Sequence, residues 1–153
     1  MSLIWAVRPI AIASKGGKTG GPVAEPIRVL VVDDDAGFVE ALQALLGGDA
    51  RIEVVGTAAN GEEAVLRAIW LRPNVVTMDL EMPVVDGVEA TRQIRANLPR
   101  TRVIVVSASA YAHRAETARE AGASAYVAKS RAAEELLATI QAVAEGENFI
   151  AVV

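Results

Sequence analysis

The chain has 153 residues, enough for one domain with a short extension. Fifteen Lys and Arg against nineteen Asp and Glu give a net charge of −4, so no overall basic field draws it to nucleic acid or to an anionic membrane surface. Hydrophobic residues make up 52% of the chain and cysteine is absent, which excludes a disordered chain, a disulfide scaffold, thiolate metal sites and cysteine nucleophiles, and fits a reducing compartment.

Residues 1–26 stand apart as an N-terminal extension or linker, loosely ordered by composition. The apolar stretch from Leu3 to Ala13 is broken by Arg8-Pro9 and lacks a basic start, so it does not read as a secretory signal. No run in the chain approaches the ~18 apolar residues of a membrane span. From Lys15 to Pro26 the composition turns to Gly, Lys, Thr and Pro. Gly17-Lys18-Thr19 hints at a phosphate-binding loop, but that motif requires glycine where Ile12 stands, and a helix where Gly20-Gly21-Pro22 follow.

From Ile27 a strand–helix rhythm begins, and residues 27–147 form the predicted domain. Near-continuous apolar, β-branched runs at Ile27–Val32, Ile52–Val55, Val75–Met78, Val103–Val106 and Ala125–Ala128 predict strands buried on both faces of a parallel sheet. A first helix carries Phe38, Ala41, Leu42, Leu45 and Leu46 on one face and ends at Gly47-Gly48. Asn60 and Asp86 each precede a glutamate by three positions, Glu63 and Glu89, the pattern of a capping box opening a second and a third helix. These stop before Pro73 and Pro99. A fourth helix spans roughly 112–121 and ends at Gly122. A fifth begins near Ser130 and carries Leu136, Leu137, Ile140 and Val143 before Gly146. Residues 148–153 read as a C-terminal tail. Five β-α units in strict alternation predict an α/β fold with a doubly wound, five-stranded parallel sheet and helices on both faces.

In such a sheet, chemistry gathers at the carboxyl ends of the strands. Strand 1 runs into Asp33-Asp34-Asp35, strand 3 into Asp79, strand 4 into Ser107-Ala108 and strand 5 into Lys129-Ser130. Crowded carboxylates raise one another's pKa and oppose folding unless something positive intervenes, and Mg²⁺ suits an all-oxygen donor set. A carboxylate beside such an ion can act as a nucleophile toward phosphorus, with a hydroxyl and an ammonium to neutralise the phosphoryl oxygens. Ser107 and Lys129 are the candidates for those two roles. Asp35 and Asp86 are better read as helix caps.

Residues 27–146 resemble the receiver domain of two-component response regulators. The motifs that carry the resemblance are Val31-Val32-Asp33-Asp34, Met78-Asp79-Leu80-Glu81-Met82-Pro83-Val84-Val85-Asp86-Gly87, Val106-Ser107-Ala108 and Gly122-Ala123-Ser124-Ala125-Tyr126-Val127-Ala128-Lys129, all in order. The resemblance implies a flavodoxin-like (βα)5 fold with strand order 2-1-3-4-5. It implies that Asp79 is the phospho-acceptor, and that Asp33, Asp34, Asp79 and the main-chain carbonyl of Glu81 hold Mg²⁺, for which Mn²⁺ or Ca²⁺ can substitute. The run of three aspartates leaves the register open, and the preceding apolar stretch places the metal pair at 33 and 34. Ser107, the backbone N–H of Ala108 and Lys129 would bind the phosphoryl group. Ser107 and Tyr126 would form the switch, although Tyr126 reads equally as a core aromatic.

By the same resemblance the chain is not an enzyme. It would be a cytoplasmic signalling module that takes its phosphoryl group from a histidine kinase or phosphotransfer protein. The surface of helix 4, strand 5 and helix 5 would then change and act on a downstream effector domain or protein. Homodimerisation is common in the family; direct binding of nucleic acid or membrane by this chain is not expected. Two other readings use the same residues: a Mg²⁺-dependent phosphatase with Asp79 as nucleophile and Glu81 as acid, and a pseudo-receiver that is never phosphorylated. Ser130 after the lysine and the segment Glu134–Phe149 resemble regulators with a helix-turn-helix output. Val54-Val55-Gly56-Thr57 and Met78–Pro83 resemble the receivers of chemotaxis methylesterases, placed second.

Overall fold

The computed structural model describes residues 24–109 and 112–153. The extension assigned to residues 1–26 lies outside the described residues except for its last three.

Strands β1 (Ile27–Val32), β2 (Ile52–Ala58), β3 (Val75–Met78), β4 (Arg102–Ser107) and β5 (Ala125–Ala128) alternate with helices α1 (Ala36–Gly47), α2 (Gly61–Leu71), α3 (Gly87–Asn97), α4 (Ala112–Glu120) and α5 (Ala132–Ala144), and a last strand, β6 (Ile150–Val152), follows. All pairings are parallel, in the order β2-β1-β3-β4-β5-β6. The sheet separates two cores, which is why its strands are apolar throughout rather than alternating. Leu30, Val32, Val76, Met78, Val103, Val105 and Tyr126 face α2, α3 and α4, whose Ala64, Ala68, Ala90, Ile94 and Ala115 pack against them. Val29, Val31, Val75, Ile104, Val106 and Val127 face α1 and α5, meeting Leu42, Leu46, Leu136, Ile140 and Val143. Fully burying a Val, Leu or Ile side chain contributes roughly 1.5–3 kcal/mol, so the two layers dominate the stabilisation of the fold.

Three helix starts carry the expected side-chain caps. The Asp35 carboxylate accepts from the N–H groups of Gly37 and Phe38, Asn60 from Glu63 and Asp86 from Glu89. The reciprocal halves of the capping boxes differ from expectation. Glu63 accepts from Ala59 N–H, one residue before the cap, while also holding Arg67. Glu89 turns outward to Arg92 and Gln93. Helix α2 ends on Arg72 in the left-handed region (φ 49°), directly before Pro73.

Three expectations need correction. The sheet has six strands, because residues 150–152, expected as part of a tail, pair with β5 in the register Ala125–Ile150, Tyr126–Ala151 and Val127–Val152. The driving force is local: Ala151 and Val152 become buried and Phe149 packs against the core on the α2–α4 side. Strand β2 continues to Ala58, because β1 runs on to Val32 and pairs Leu30, Val31 and Val32 with Gly56, Thr57 and Ala58, the register skipping Val55 on the way. Helix α5 starts at Ala132 rather than near Ser130, since Lys129–Arg131 form a 3-10 turn first. Among the described residues no helix is long and apolar enough to cross a membrane.

Candidate functional site

The chain winds to one side of β1 to make β2 and returns past it to make β3, so a crevice opens between the carboxyl ends of β1 and β3. Backbone hydrogen bonds carry the ladder just beyond both strands: Asp33 N–H donates to Ala58 O and Asp79 N–H to Val32 O, at 3.1 and 3.0 Å. Those bonds fix where the two carboxylates leave the sheet. Asp33, Asp34 and Asp79 each offer an oxygen, and the three oxygens lie within 4.8 Å of one another. Asp33 and Asp79 are buried and Asp34 is exposed. The third aspartate of the run, Asp35, is turned away as the cap of α1.

Lys129, entering from the end of β5, brings a positive charge to the cluster. Its Nζ stands 2.7 Å from Asp33 Oδ2 and 3.9 Å from Asp79 Oδ2, and 4.4 Å from the centroid of the Phe38 ring on α1. The aromatic face and the buried carboxylate together hold the ammonium head over the crevice. The other oxygen of Asp33 accepts from Asp35 N–H at 2.8 Å. Among the described residues Asp79 Oδ1 has only a long contact with Glu81 N–H, at 3.4 Å. Burial pushes the Asp79 carboxyl up to about 6, with the charges of Asp33 and Asp34 adding to it and Lys129 and the Glu81 N–H opposing it. Among the described residues the Lys129 ammonium alone pairs with Asp33 and Asp79, and one ammonium does not balance three carboxylates. An all-oxygen, anionic donor set with one solvent-facing member fits a hard divalent cation that keeps part of its water shell.

The loop after β3 is clamped in place. Gly61 N–H donates to Val85 O and Gly87 N–H to Leu80 O. A Cβ on Gly87 would lie 2.0 Å from the carbonyl oxygen of Asp79, so glycine there permits the close passage. The backbone of Glu81 lies next to Asp79, while its side chain points outward and pairs with Arg114 on α4.

Ser107, Ser109 and Tyr126 form a second group on the neighbouring strands. Ser107 is buried at the end of β4, and its hydroxyl accepts from Ser109 N–H at 3.2 Å. The carbonyl of Ser109 accepts the hydroxyl proton of Tyr126, whose ring is wholly buried on β5. Ala108, between the two serines, is exposed. Thus the structure brings Asp33, Asp34, Asp79 and Lys129 into one cluster and links Ser107 to Tyr126 beside it. Sequence reasoning missed Phe38, Ser109 and Arg114. Phe38 read as one more apolar residue of α1, and nothing in the spacing of Ser109 or Arg114 signals their partners.

Residues 29–141 match the response regulator receiver domain family. A protein-glutamate methylesterase/protein-glutamine glutaminase of Halalkalibacterium halodurans is 43% identical over 104 residues, covering 67% of this chain and 30% of the relative. One from a Nocardioides species is 47% identical over 105 residues, covering 67% and 29%. The chain therefore spans under a third of the length of these relatives. Among solved structures, the response regulator domain of Thermotoga maritima CheB superposes with a TM-score of 0.75 at 36% identity, covering 80% of this chain and 99% of that one. A two-component response regulator of the LuxR family from an Aurantimonas species gives 0.78 at 34%, covering 84% and 90%.

Proposed function

The chain belongs to the response regulator receiver domain family, and from that premise we propose that Asp79 is the residue that accepts the phosphoryl group. The observation that carries the assignment is the convergence of Asp33, Asp34 and Asp79 within 4.8 Å beside the Lys129 ammonium. A receiver is a regulatory domain of a two-component system, so phosphorylation here changes a state.

In the proposed step, a carboxylate oxygen of Asp79 forms the new P–O bond while the bond from phosphorus to the donor's leaving group breaks, its electron pair departing with the donor. A phosphohistidine of a histidine kinase or phosphotransfer protein is the donor the family implies. The pKa of about 6 leaves Asp79 ionised at neutral pH, ready to attack without a general base. Asp33, Asp34 and Asp79, with the main-chain carbonyl of Glu81, would hold Mg²⁺, which would supply positive charge to the phosphoryl oxygens. Lys129 needs to move little from Asp33 to meet a phosphoryl oxygen on Asp79, being 3.9 Å from that carboxylate already. The Ser107 hydroxyl accepts from Ser109 and so keeps its own proton to donate to another phosphoryl oxygen, and Ala108 N–H would serve a third. Drawing Ser107 inward pulls on Ser109 and through it on Tyr126, which is how chemistry at Asp79 would reach β5.

Glu81, the acid that a phosphatase reading needs as a proton donor, is tied to Arg114 at the surface. The likeness to methylesterase/glutaminase relatives supports an effector of that class as the regulated partner, with both acting in the cytoplasm where the kinase presents its phosphohistidine. Incubation with acetyl phosphate and Mg²⁺ tests the assignment: the wild-type chain becomes phosphorylated and Asp79→Asn does not. Full labelling of the variant would refute it.

A further inference from the structure

Strand β6 lies on the outer edge of β5, beside Tyr126, the aromatic that the hydrogen-bond chain from Ser107 reaches. Ala151 pairs directly with Tyr126, and both side chains belong to the core on the α2–α4 side. Phe149, two residues earlier, packs against the same core. Ile150 N–H donates to Ser124 O at 3.2 Å, anchoring the entry of the strand. Tyr126 is 0% exposed in this arrangement, with its hydroxyl on the Ser109 carbonyl and the Ser109 N–H on the Ser107 hydroxyl. A continuous series of contacts thus runs from the C-terminal strand through Tyr126 and Ser109 to Ser107.

We propose that the β5 edge is a strand-docking surface, filled here by the chain's own residues 148–152, and that its occupancy is coupled to the phosphoryl site through Tyr126 and Ser109. The inference rests on the assignment of Asp79 as phospho-acceptor. Three features fit the surface to this occupant. The exposed N–H and C=O groups of an edge strand accept an extended segment without any rearrangement of the sheet. The central residue of the segment must be small, because it shares a face with the Tyr126 ring, and Ala151 is small. Only three residues pair, so the strand is held weakly enough to be displaced and to respond to what Tyr126 does. A ring held inward by β6 keeps the Ser109 carbonyl and the Ser107 hydroxyl in place. By reciprocity, a phosphoryl group that draws Ser107 inward holds the ring inward and tightens β6. A competing extended segment with a small central residue would displace β6 and weaken the site.

Hydrogen exchange of the full chain tests this, with and without beryllofluoride and Mg²⁺ as the phosphoryl mimic and adduct formation followed independently by ¹⁹F NMR. On adduct formation the amides of residues 150–152 exchange at least about fivefold more slowly, the lower end of ordinary coupling. In Tyr126→Phe, which removes only the hydroxyl, the adduct forms and most of the slowing is lost. Ala151→Glu, which drives a charge against the ring, lowers the rate of labelling by acetyl phosphate severalfold. An adduct with unchanged exchange at 150–152, or undiminished slowing in Tyr126→Phe, would overturn the coupling alone. Failure of any adduct to form on the wild-type chain would remove the Asp79 assignment and the coupling with it.

Discussion

Neutralising Asp79 should stabilise the metal-free protein, and by an amount that depends on pH in a defined way. In the unfolded chain this carboxyl titrates near 3.8; in the fold, burial and the charges of Asp33 and Asp34 hold it at about 6. Between those values the folded state keeps a proton that the unfolded state has lost. Stability is therefore greatest below about 3.8 and falls as pH rises through 6, after which the full cost is present. At about 1.4 kcal/mol for each tenfold change in proton concentration, that interval corresponds to about 3 kcal/mol at neutral pH. Asp79→Asn removes the ionisation while keeping an acceptor for the Glu81 N–H, and it leaves the Lys129–Asp33 pair intact. Urea unfolding in the presence of EDTA should show the variant more stable than wild type by about 2–3 kcal/mol at pH 7.5, with the advantage shrinking toward zero at pH 4. Saturating Mg²⁺ should narrow the gap at pH 7.5 by stabilising the wild type, since a ligand that binds only the folded state raises its stability. Equal stabilities at pH 7.5, or an advantage that does not change with pH, would refute the reasoning.

Other substitutions probe separate parts of the account. Gly87→Ala places a Cβ 2.0 Å from the Asp79 carbonyl oxygen, so the loop must shift. A cost of about 3 kcal/mol is expected, lowering Tm by roughly 6–12 °C in a calorimetric scan. Thr77 Oγ1 is buried without a hydrogen-bond partner among the described residues, so Thr77→Val, which keeps the shape and deletes the polar atom, should raise stability by about 1 kcal/mol in chemical denaturation. Lys129→Ala removes the ammonium that competes with a cation for Asp33 and Asp79. Titration should show Mg²⁺ binding at least as tightly as in wild type, while labelling by acetyl phosphate falls at least tenfold; weaker Mg²⁺ binding with normal labelling would contradict the assigned role.

The β-α alternation, the helix caps and the gathering of acids at strand ends were all legible because each is a local signal: a run of apolar residues, an Asp or Asn three positions before a glutamate, a polar residue closing a strand. The triple aspartate shows how far such signals go. Its register followed from the apolar run ending at Val32, and the structure accordingly turns Asp35 to cap α1 while Asp33 and Asp34 meet Asp79. What remained hidden depends on partners distant in sequence. Strand β6 is too short to carry a periodicity, and it exists because β5 offers an unpaired edge. The extra residues of β2, Gly56, Thr57 and Ala58, pair with Leu30, Val31 and Val32 of β1, and they carry no apolar run to announce them. Phe38 beneath Lys129 and Ser109 between Ser107 and Tyr126 are contacts between an ordinary helix residue and a strand end, or through a main-chain carbonyl, where side-chain identity carries no information.

The central claim is that one carboxylate among three becomes the covalent acceptor. Reduction of the acetyl phosphate-treated chain with borohydride, which converts an acyl phosphate to an alcohol, followed by peptide mass mapping, locates that residue directly. The account predicts homoserine at position 79, dependent on Mg²⁺ and absent when EDTA is added. Homoserine at position 33 or 34, or modification independent of any divalent cation, would contradict it.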